Sequence, residues 1–246
     1  MSEIIKTEAV VLSKMDYGDT SSILSLYTKE FGKISVIQKG ARNPKSKKAF
    51  ITDPLNHLQI IIYKKDSREL QLLSSADLIS HFSHLKENFD RLKFALAILE
   101  LVKNLTPENE SNELIFKGLT RILFLLDTSD ESPNIIFGRF FLFFLKEIGY
   151  EIQLNKCSSC QTDLHNADYL GYNFELGIFC SHCSSNFRID FKISQELFNY
   201  LLCLKQNKSA VSFKNFTADR AIIFMERHLK FHIPDFKDII SIHTFR

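Results

Sequence analysis

The sequence has no tryptophan, only eight glycines among 246 residues, and no apolar run long enough to cross a bilayer. Its longest purely apolar run, Phe140–Leu145, is far shorter than the roughly 20 residues that a membrane helix needs. The few glycines form none of the G-x-S-x-G, G-x-G-x-x-G or G-x-x-x-x-G-K-[ST] motifs, and no carboxylates cluster as in a two-metal nuclease. These absences argue against a membrane protein and against the common hydrolase and nucleotide-binding classes, and we find no catalytic constellation.

The amino terminus also lacks a secretory signal, because no charged region precedes a long apolar stretch and a small-residue cleavage site. We therefore expect a cytoplasmic protein, in which cysteines stay reduced. Five cysteines in that compartment favour metal binding over disulfides. The net charge is only +2, so any concentrated positive segment needs an explanation.

Short aliphatic runs separated by turn signals fill the first 78 residues. The runs cover residues 8–12, 22–27, 33–37, 57–63 and 69–73. Gly18, Gly32 and Pro54 mark turns between them. Five short strands in this length predict a small closed barrel such as the OB-fold, and an SH3-like barrel fits the periodicity equally well.

After Asp77 the apolar spacing becomes helical. A series from Leu78 to Leu99 steps by four and three residues, which predicts one helix face. Further helices are predicted over residues 114–126, 135–148, 194–205 and 218–231. The sequence thus predicts an α+β chain with a barrel at 1–78, a first helical part at 79–152, a cysteine insert at 153–190 and a second helical part at 191–246.

Two Cys-x-x-Cys pairs form the most specific motif in the chain. Cys157 and Cys160 are separated from Cys180 and Cys183 by 19 residues, which is a spacing typical of zinc sites. Each pair places two thiolates on one tight turn, and two such turns complete a tetrahedron around Zn²⁺. Four thiolates leave no open position for water, so we predict one structural zinc ion per chain.

Other interpretations of the cysteines are unbound thiols or a redox role for one pair. His165 and His182 lie close by in sequence and are alternative ligands for one position. Cys203 lies in an apolar run and is predicted to be a core thiol.

A concentrated positive segment follows the third predicted strand. Six basic residues and no acid lie between residues 33 and 48. Lys33 starts that strand, and the five others follow it: Lys39, Arg42, Lys45, Lys47 and Lys48. Small barrels bind single strands through positive grooves, because cations neutralise phosphates irrespective of base sequence. The next connection adds Lys64, Lys65 and Arg68, which we expect to extend the positive surface. The alternative interpretation is a solvated surface loop that binds no ligand.

Aromatic residues accompany this positive segment and another lies farther along the chain. Tyr17, Tyr27, Phe50 and Tyr63 are candidates for stacking on bases, although burial explains each equally well. The phenylalanine-rich segment 137–145 is predicted to be core. Its alternative is an exposed groove for a partner peptide, with contacts from Phe137, Arg139, Phe141 and Lys146.

The stretch YGDTSSILSLYTKEFGKISVIQKGARNPKSK, residues 17–47, closely resembles the N-terminal signature of RecO, a family of bacterial recombination mediators. The shared features are a Tyr-Gly-acid turn, a strand ending in threonine, an aromatic-Gly-Lys turn, and Lys-Gly-Ala-Arg followed by Ser-Lys. The order of barrel, helices, cysteine insert and helices also resembles the family, over about residues 4–185. Gln38 and Gln161 depart from the pattern, since a small residue and a glycine are common there.

The resemblance implies an N-terminal OB-fold DNA-binding domain, a helical domain and a zinc region. It implies binding of single- and double-stranded DNA through the six basic residues of the positive segment, and annealing of complementary strands. It also implies action with RecR, and often RecF, to load RecA onto DNA coated by single-strand binding protein, whose acidic C-terminal tail is contacted. Members of the family act at the bacterial nucleoid and are not enzymes.

Two alternatives remain at this level. Nucleic-acid ligases also place an OB-fold before a four-cysteine zinc module, although the K-x-D-G motif of their adenylation site is absent here. A scaffold that binds acidic protein tails and no DNA is the other alternative.

Overall fold

The first five strands close into a barrel. The computed structural model describes residues 3–42, 48–164, 169–208 and 213–244, with the backbone alone at residues 48 and 49. The barrel strands are β1 (Glu3–Tyr17), β2 (Ser21–Thr28), β3 (Gly32–Gln38), β4 (His57–Lys64) and β5 (Leu70–Ser80). Their order is β1-β2-β3-β5-β4; β3 and β5 run parallel, and the other neighbours run antiparallel. With helix α1 (Lys48–Ile51) between β3 and β4, this confirms the predicted OB-like barrel.

Alternating side chains fill the barrel and fix which residues face outward. Leu24, Leu26, Ile34 and Val36 are almost completely buried in its core. Because successive residues of a strand point to opposite faces, the residues between them turn away from that core. The strand ends at the buried Gln38, and the exposed Lys39 follows it.

Seven helices and three short strands follow the barrel within the described residues. The helices are α2 (Ser83–Glu87), α3 (Phe89–Leu105), α4 (Glu113–Thr128), α5 (Pro133–Glu147), α6 (Gln195–Lys205), α7 (Asn215–His232) and α8 (Ile240–Thr244). The strands are β6 (Tyr169–Asn173), β7 (Gly177–Phe179) and β8 (Phe191–Ser194), in the order β7-β6-β8. The chain is therefore mixed α+β, as predicted.

Strand β5 continues past the point where the sequence predicted a helix. Leu78 pairs with Leu58 of β4, so it belongs to the ladder and not to a helix face. Phe82 adopts a left-handed conformation with φ 53°, which separates the strand from α2. Helix α3 starts only after Asn88, whose side chain accepts a hydrogen bond from the backbone of Arg91. Pairing with β4 thus overrides the helical spacing of the apolar residues.

Packing divides the chain into two compact units. The first comprises residues 1–129 and 239–246, and the second comprises residues 130–238. The sequence instead predicted boundaries near 78, 152 and 190. The first unit keeps α2–α4 because these helices pack on one another and α3 contacts β1 and β2. The second unit groups α5 with α6 and α7 around a core rich in phenylalanine.

The turn before β3 docks the barrel on the loop between α3 and α4. Gly32 has φ +63°, and a Cβ atom there would lie 1.8 Å from the carbonyl oxygen of Glu110. The backbone of Asn109 donates to the carbonyl of Lys33 at 2.8 Å. The aromatic-Gly-Lys turn of the sequence motif therefore serves an internal contact.

We expect Gly32→Ala to lower the free energy of unfolding by about 3 kcal/mol, because both the backbone conformation and the close approach reject a side chain. Gly40→Ala is the matched control, since Gly40 has φ +66° but open space around the added carbon. It should cost only about 1 kcal/mol. Urea unfolding measures both, and equal effects would show that the contact with Glu110 is unimportant.

His228 is a buried histidine in the second unit. Its Nδ1 lies 3.3 Å from the hydroxyl of Tyr172 and its Nε2 lies 3.1 Å from the carbonyl of Tyr150. Burial, with a smaller contribution from the nearby His232, lowers the pKa of His228 to about 4. Both ring nitrogens are thus used internally, which gives this histidine a structural role.

This burial predicts a pH dependence of stability. Unfolded His228 binds a proton near its ordinary pKa of 6.5, whereas folded His228 stays neutral down to about pH 4. The contribution of His228 to the free energy of unfolding is therefore fully present above pH 6.5 and is lost as the pH falls towards 4. The loss amounts to about 2 kcal/mol between pH 7 and pH 5. His228→Gln should show a loss smaller by that amount when both proteins are unfolded in urea at the two pH values. Equal losses in both proteins would contradict the assignment.

Candidate functional site

Both ends of the positive segment are anchored to the barrel. Gln38 is buried, and its side-chain oxygen accepts a hydrogen bond from the hydroxyl of Thr52 at 2.8 Å. The side chain of Asn56 donates to the carbonyls of Phe50 and Ile51 at 3.0 and 2.8 Å. Gln38, which departs from the family pattern, therefore ties β3 to the residues that follow α1.

Lys39 leads the positive segment and points into solvent. It lines a cleft of about 230 Å³ together with Ile51, Leu73 and Ala76. In the described part of the chain, no carboxylate lies within ion-pair distance of its ammonium group. Lys39 is therefore available to an external anion beside a mostly apolar cleft.

Arg42 is held by the β1–β2 turn. Its guanidinium donates to a carboxylate oxygen of Asp16 at 2.8 Å, to the carbonyl of Asp19 at 2.7 Å and to the carbonyl of Gly18. About one third of the side chain stays exposed. Arg42 thus braces the turn, and only part of it is left for a ligand.

Lys33 does not contribute to an external positive surface. Its side chain is 12% exposed, and its ammonium donates to the carbonyl of Lys103 at 2.6 Å and lies 3.6 Å from Glu108. The expectation that Lys33 contacts DNA is therefore wrong, because the Gly32 turn directs it under the α3–α4 loop.

The basic residues of the β4–β5 connection lie at the other end of the barrel from Lys39. Ser35 of β3 pairs with Leu70 of the parallel β5. Lys39 comes after Ser35 and Arg68 comes before Leu70, so about 20 Å separates them along the strands. The expectation of one continuous positive surface is therefore wrong.

The three basic residues of the β4–β5 connection differ in their contacts and exposure. Lys64 pairs with Asp66, and its ammonium lies 5.2 Å from the ring centroid of Phe31. Arg68 is exposed and Lys65 is half-buried. They form a separate basic end of the barrel.

The structure leaves three of the predicted cations undescribed and shows that the predicted aromatic contacts differ in exposure. Lys45 and Lys47 lie outside the described residues, as does the side chain of Lys48. Phe50 is 76% exposed beside the anchored segment, and Tyr17 is 51% exposed at the end of β1. Tyr27 is buried, which raises its pKa to about 12, so it is not a surface for stacking.

The four predicted cysteines come together in the second unit. The Sγ atoms of Cys157, Cys160, Cys180 and Cys183 all lie within 4.8 Å of one another, and those of Cys160 and Cys180 are 3.8 Å apart. A tetrahedron of thiolates at about 2.3 Å from zinc has sulfurs about 3.8 Å apart. The donor set and its geometry therefore fit one zinc ion with four protein ligands.

Backbone groups orient the sulfurs. The N–H of Cys180 points to the sulfur of Cys157 at 3.4 Å, and that of Cys183 points to the sulfur of Cys180 at 3.5 Å. Gln161 closes the first turn with φ 61°, which explains why a glycine suits this position. These contacts shape the two turns around a common centre.

The ionisation of the thiols also favours a bound cation. Hydrogen bonds from the hydroxyl and backbone of Thr162 lower the pKa of Cys160 to about 6. The neighbouring sulfur of Cys160, followed by burial, raises the pKa of Cys183 to about 12. A bound cation would offset the charges of thiolates held this close together.

The phenylalanine-rich helix α5 is mostly core. Phe137 and Phe141 are fully buried, which confirms the prediction of a core segment and contradicts the alternative that these two residues contact a partner. Arg139 is 17% exposed and forms a salt bridge with Glu131, so its guanidinium is not free to contact a partner. Lys146 is exposed, and its contact with a partner stays a prediction.

A pocket lies beside this helix within the second unit. It has a volume of about 240 Å³, and its apolar lining comes from Leu142, Phe143, Ile152 and Leu204, with Lys146 and Lys205 among its polar residues. Phe143 lines the pocket, although Phe137 and Phe141 were the phenylalanines of this segment expected to contact a partner. The helical period of 3.6 residues could have revealed this position. It places Phe143 on a different side of the helix from the buried Phe137, Phe141 and Phe144.

Comparisons with known proteins agree with this architecture. The family model described as recombination protein O N terminal matches residues 1–82, and recombination protein O C terminal matches residues 86–237. No helix in the described ranges is both long enough and apolar enough to span a membrane.

Curated relatives carry the name DNA repair protein RecO. The relative from Alkaliphilus metalliredigens is 32% identical over 202 residues, which is 81% of each chain. The relative from Acetivibrio thermocellus is 26% identical over 82% of this chain and 81% of its own. That from Chlorobium limicola is 38% identical over 63% of this chain, and the match spans only 59% of the relative's length. The two family matches together cover most of the chain, which therefore belongs to the RecO family.

Proposed function

We propose that this protein is a non-enzymatic DNA repair mediator that binds single- and double-stranded DNA without reading base sequence and anneals complementary strands. The observation that carries the proposal is the anchored positive segment at one end of the OB-like barrel. Lys39 is exposed there and has no carboxylate partner among the described residues, and Lys45, Lys47 and Lys48 follow in sequence. The name of the curated relatives supports a role in DNA repair.

The proposed mechanism is electrostatic. Lysines of the segment neutralise phosphates and release counterions, which gives affinity for any base sequence. Two strands held on one protein repel each other less, so that their bases pair more often. Base pairing itself supplies the free energy of annealing, so this step needs no ATP. The zinc ion would hold residues 157–183 together and take no part in the reaction.

The experiment that tests the proposal is strand annealing with two complementary labelled oligonucleotides, with and without single-strand binding protein. The protein should accelerate annealing in both conditions, and a variant with Lys39, Lys45, Lys47 and Lys48 changed to alanine (the four-lysine variant) should lose most of the acceleration. A protein that binds neither single- nor double-stranded DNA would refute the proposal. Formation of a covalent nucleotide adduct with a labelled cofactor would favour the ligase alternative.

Family membership supports a set of partners. We include in the proposal that the protein acts with RecR and RecF at the bacterial nucleoid to load RecA onto DNA coated by single-strand binding protein. The acidic C-terminal tail of the coating protein would recruit it. The pocket beside α5 fits such a tail, because an apolar lining lies next to Lys146 and Lys205. Lys205 pairs with Glu151 at 3.0 Å, which leaves Lys146 as the freer cation.

We expect Lys146→Glu to weaken binding of a peptide from that tail by about tenfold, because it replaces an attraction at the pocket with a repulsion. Fluorescence anisotropy of a labelled peptide measures the effect. Lys117→Glu is the control, since Lys117 is also exposed but lies in the other unit on α4. Equal affinities for both variants would place the tail elsewhere.

A further inference from the structure

Aromatic rings and arginines alternate along one face of α7. Phe216, Arg220, Arg227 and Phe231 are spaced by four, seven and four residues, which places them on the same side of the helix. These four residues, here called the α7 strip, extend over about 22 Å. The strip borders the buried face of the helix, where Phe224 and His228 pack into the second unit.

The guanidinium groups of the strip lie over aromatic rings. Arg220 is 5.6 Å from the ring centroid of Phe191 and 5.9 Å from that of Phe216. Arg227 lies 5.6 Å from the same Phe191 ring. Arg220 also donates to the carbonyl of Lys192 at 3.4 Å. The planar cations are therefore held in fixed positions by packing and a hydrogen bond.

The charges of the strip are left uncompensated. Within the part of the chain that the structure describes, neither Arg220 nor Arg227 has a carboxylate within ion-pair distance. Other basic residues of the same unit do have one, as in the pairs Arg188–Asp190, Lys205–Glu151 and Lys230–Asp238. The arginines of the strip are therefore free to meet an external anion.

The rings at both ends of the strip are exposed. Phe216 is 68% exposed and Phe231 is 48% exposed, and Phe231 stacks on Phe174 with the ring centroids 5.8 Å apart. Exposed aromatic area beside cations favours a ligand that has both flat apolar faces and negative charge. Nucleobases joined by phosphates combine these properties, whereas an acidic peptide offers the charge without a flat ring at each repeat.

We infer that the α7 strip is a second binding site for single-stranded nucleic acid, separate from the positive segment of the barrel. This inference rests on the proposed function, since two strands held on one protein, or on one assembly of it, would meet more often and anneal faster. Bases would stack on Phe216 and Phe231, and the guanidinium groups of Arg220 and Arg227 would contact phosphates. Each compact unit of the chain would then carry one strand.

The test of this inference is the number of oligonucleotide strands that one protein chain binds. Isothermal titration with an oligothymidylate of about 12 nucleotides should give two sites per chain for the unaltered protein. Arg220→Ala/Arg227→Ala should remove one site and retain the other, whereas the four-lysine variant should do the converse. Annealing should fall at least tenfold for each variant. The site that remains in the four-lysine variant should show a salt slope of about 1.4, as expected for two phosphate contacts.

Three further variants guard against misfolding and charge effects. Arg188→Ala/Lys230→Ala removes two paired charges from the same unit and should leave both sites intact. Phe216→Ala removes an exposed ring, so it should weaken the second site without changing the urea unfolding midpoint. Arg220→Lys/Arg227→Lys keeps the charge and loses the planar stacking, and it should bind with intermediate affinity.

The outcomes separate this inference from the proposed function. If the unaltered protein binds no oligonucleotide, the proposed function fails. If it binds one, and Arg220→Ala/Arg227→Ala binds and anneals equally well, the α7 strip is not a strand site while the barrel site stands. Binding of an acidic peptide at the strip, with oligonucleotide binding unchanged in the double variant, would also overturn the inference.

Discussion

Cys183→Ser is expected to release the zinc ion and to lower the free energy of unfolding of residues 130–238 by roughly 4 kcal/mol or more. Cys183 is buried within the four-sulfur cluster, and a serine hydroxyl does not ionise to replace its thiolate. Without the cation, three thiols would remain at close range with no ion to hold the two turns together. The measurements are zinc per chain by elemental analysis and urea unfolding followed by circular dichroism, since the sequence has no tryptophan to report on folding.

Cys203→Ser is the matched control for this change. Cys203 is the fifth cysteine, half-buried on α6, and does not belong to the cluster. It should keep one zinc ion per chain and lose no more than about 1 kcal/mol of stability. Zinc well below one per chain in the carefully purified unaltered protein would contradict the metal site, as would equal stability of the two serine variants.

At the barrel site, the four-lysine variant is expected to bind DNA about 100-fold more weakly at physiological salt, by similar factors for oligonucleotides of different sequence. Each lost phosphate contact forfeits the entropy of a released counterion, whichever base lies nearby. The variant leaves out Lys33 and Arg42 because their internal contacts stabilise the barrel. Filter binding or anisotropy with several unrelated sequences measures the effect.

Lys117→Ala/Arg121→Ala supplies the control for net charge. Both residues are exposed on α4 in the same compact unit as the barrel. If only net charge matters, both variants should weaken DNA binding in proportion to the number of charges removed. If the lysines form a binding site, the four-lysine variant should lose far more affinity per charge than the control. Proportional losses would mean that the positive segment is only a solvated loop.

The four-cysteine cluster was predictable because its four members lie in two short motifs. Two short motifs of fixed spacing define all four ligands, and the hairpin between them brings the pairs together. The barrel was predictable for a related reason, since turn residues and strand periodicity occur in the same short segments. The end of β5 was not, because Leu78 follows both a strand ladder and a helical spacing, and the ladder with Leu58 decides between them.

The positive surface was only partly predictable. A basic residue can be recognised in the sequence, but its internal partner cannot when that partner is distant in the chain. Lys33 meets Lys103 and Glu108, and Arg42 meets Asp16. The α7 strip was missed for the same reason, because Phe191 lies on a different element from the arginines that stack on it. Burial of Phe137 and Phe141, in contrast, was predicted, because an unbroken run of large apolar side chains favours a core position.

The most direct test of the electrostatic account is the slope of log affinity against log salt concentration for single-stranded DNA, compared between the unaltered protein and the four-lysine variant. The account predicts that the slope becomes shallower by about 3, because four phosphate contacts are lost. An unchanged slope, with folding and zinc content intact, would contradict the claim that these lysines hold the DNA backbone.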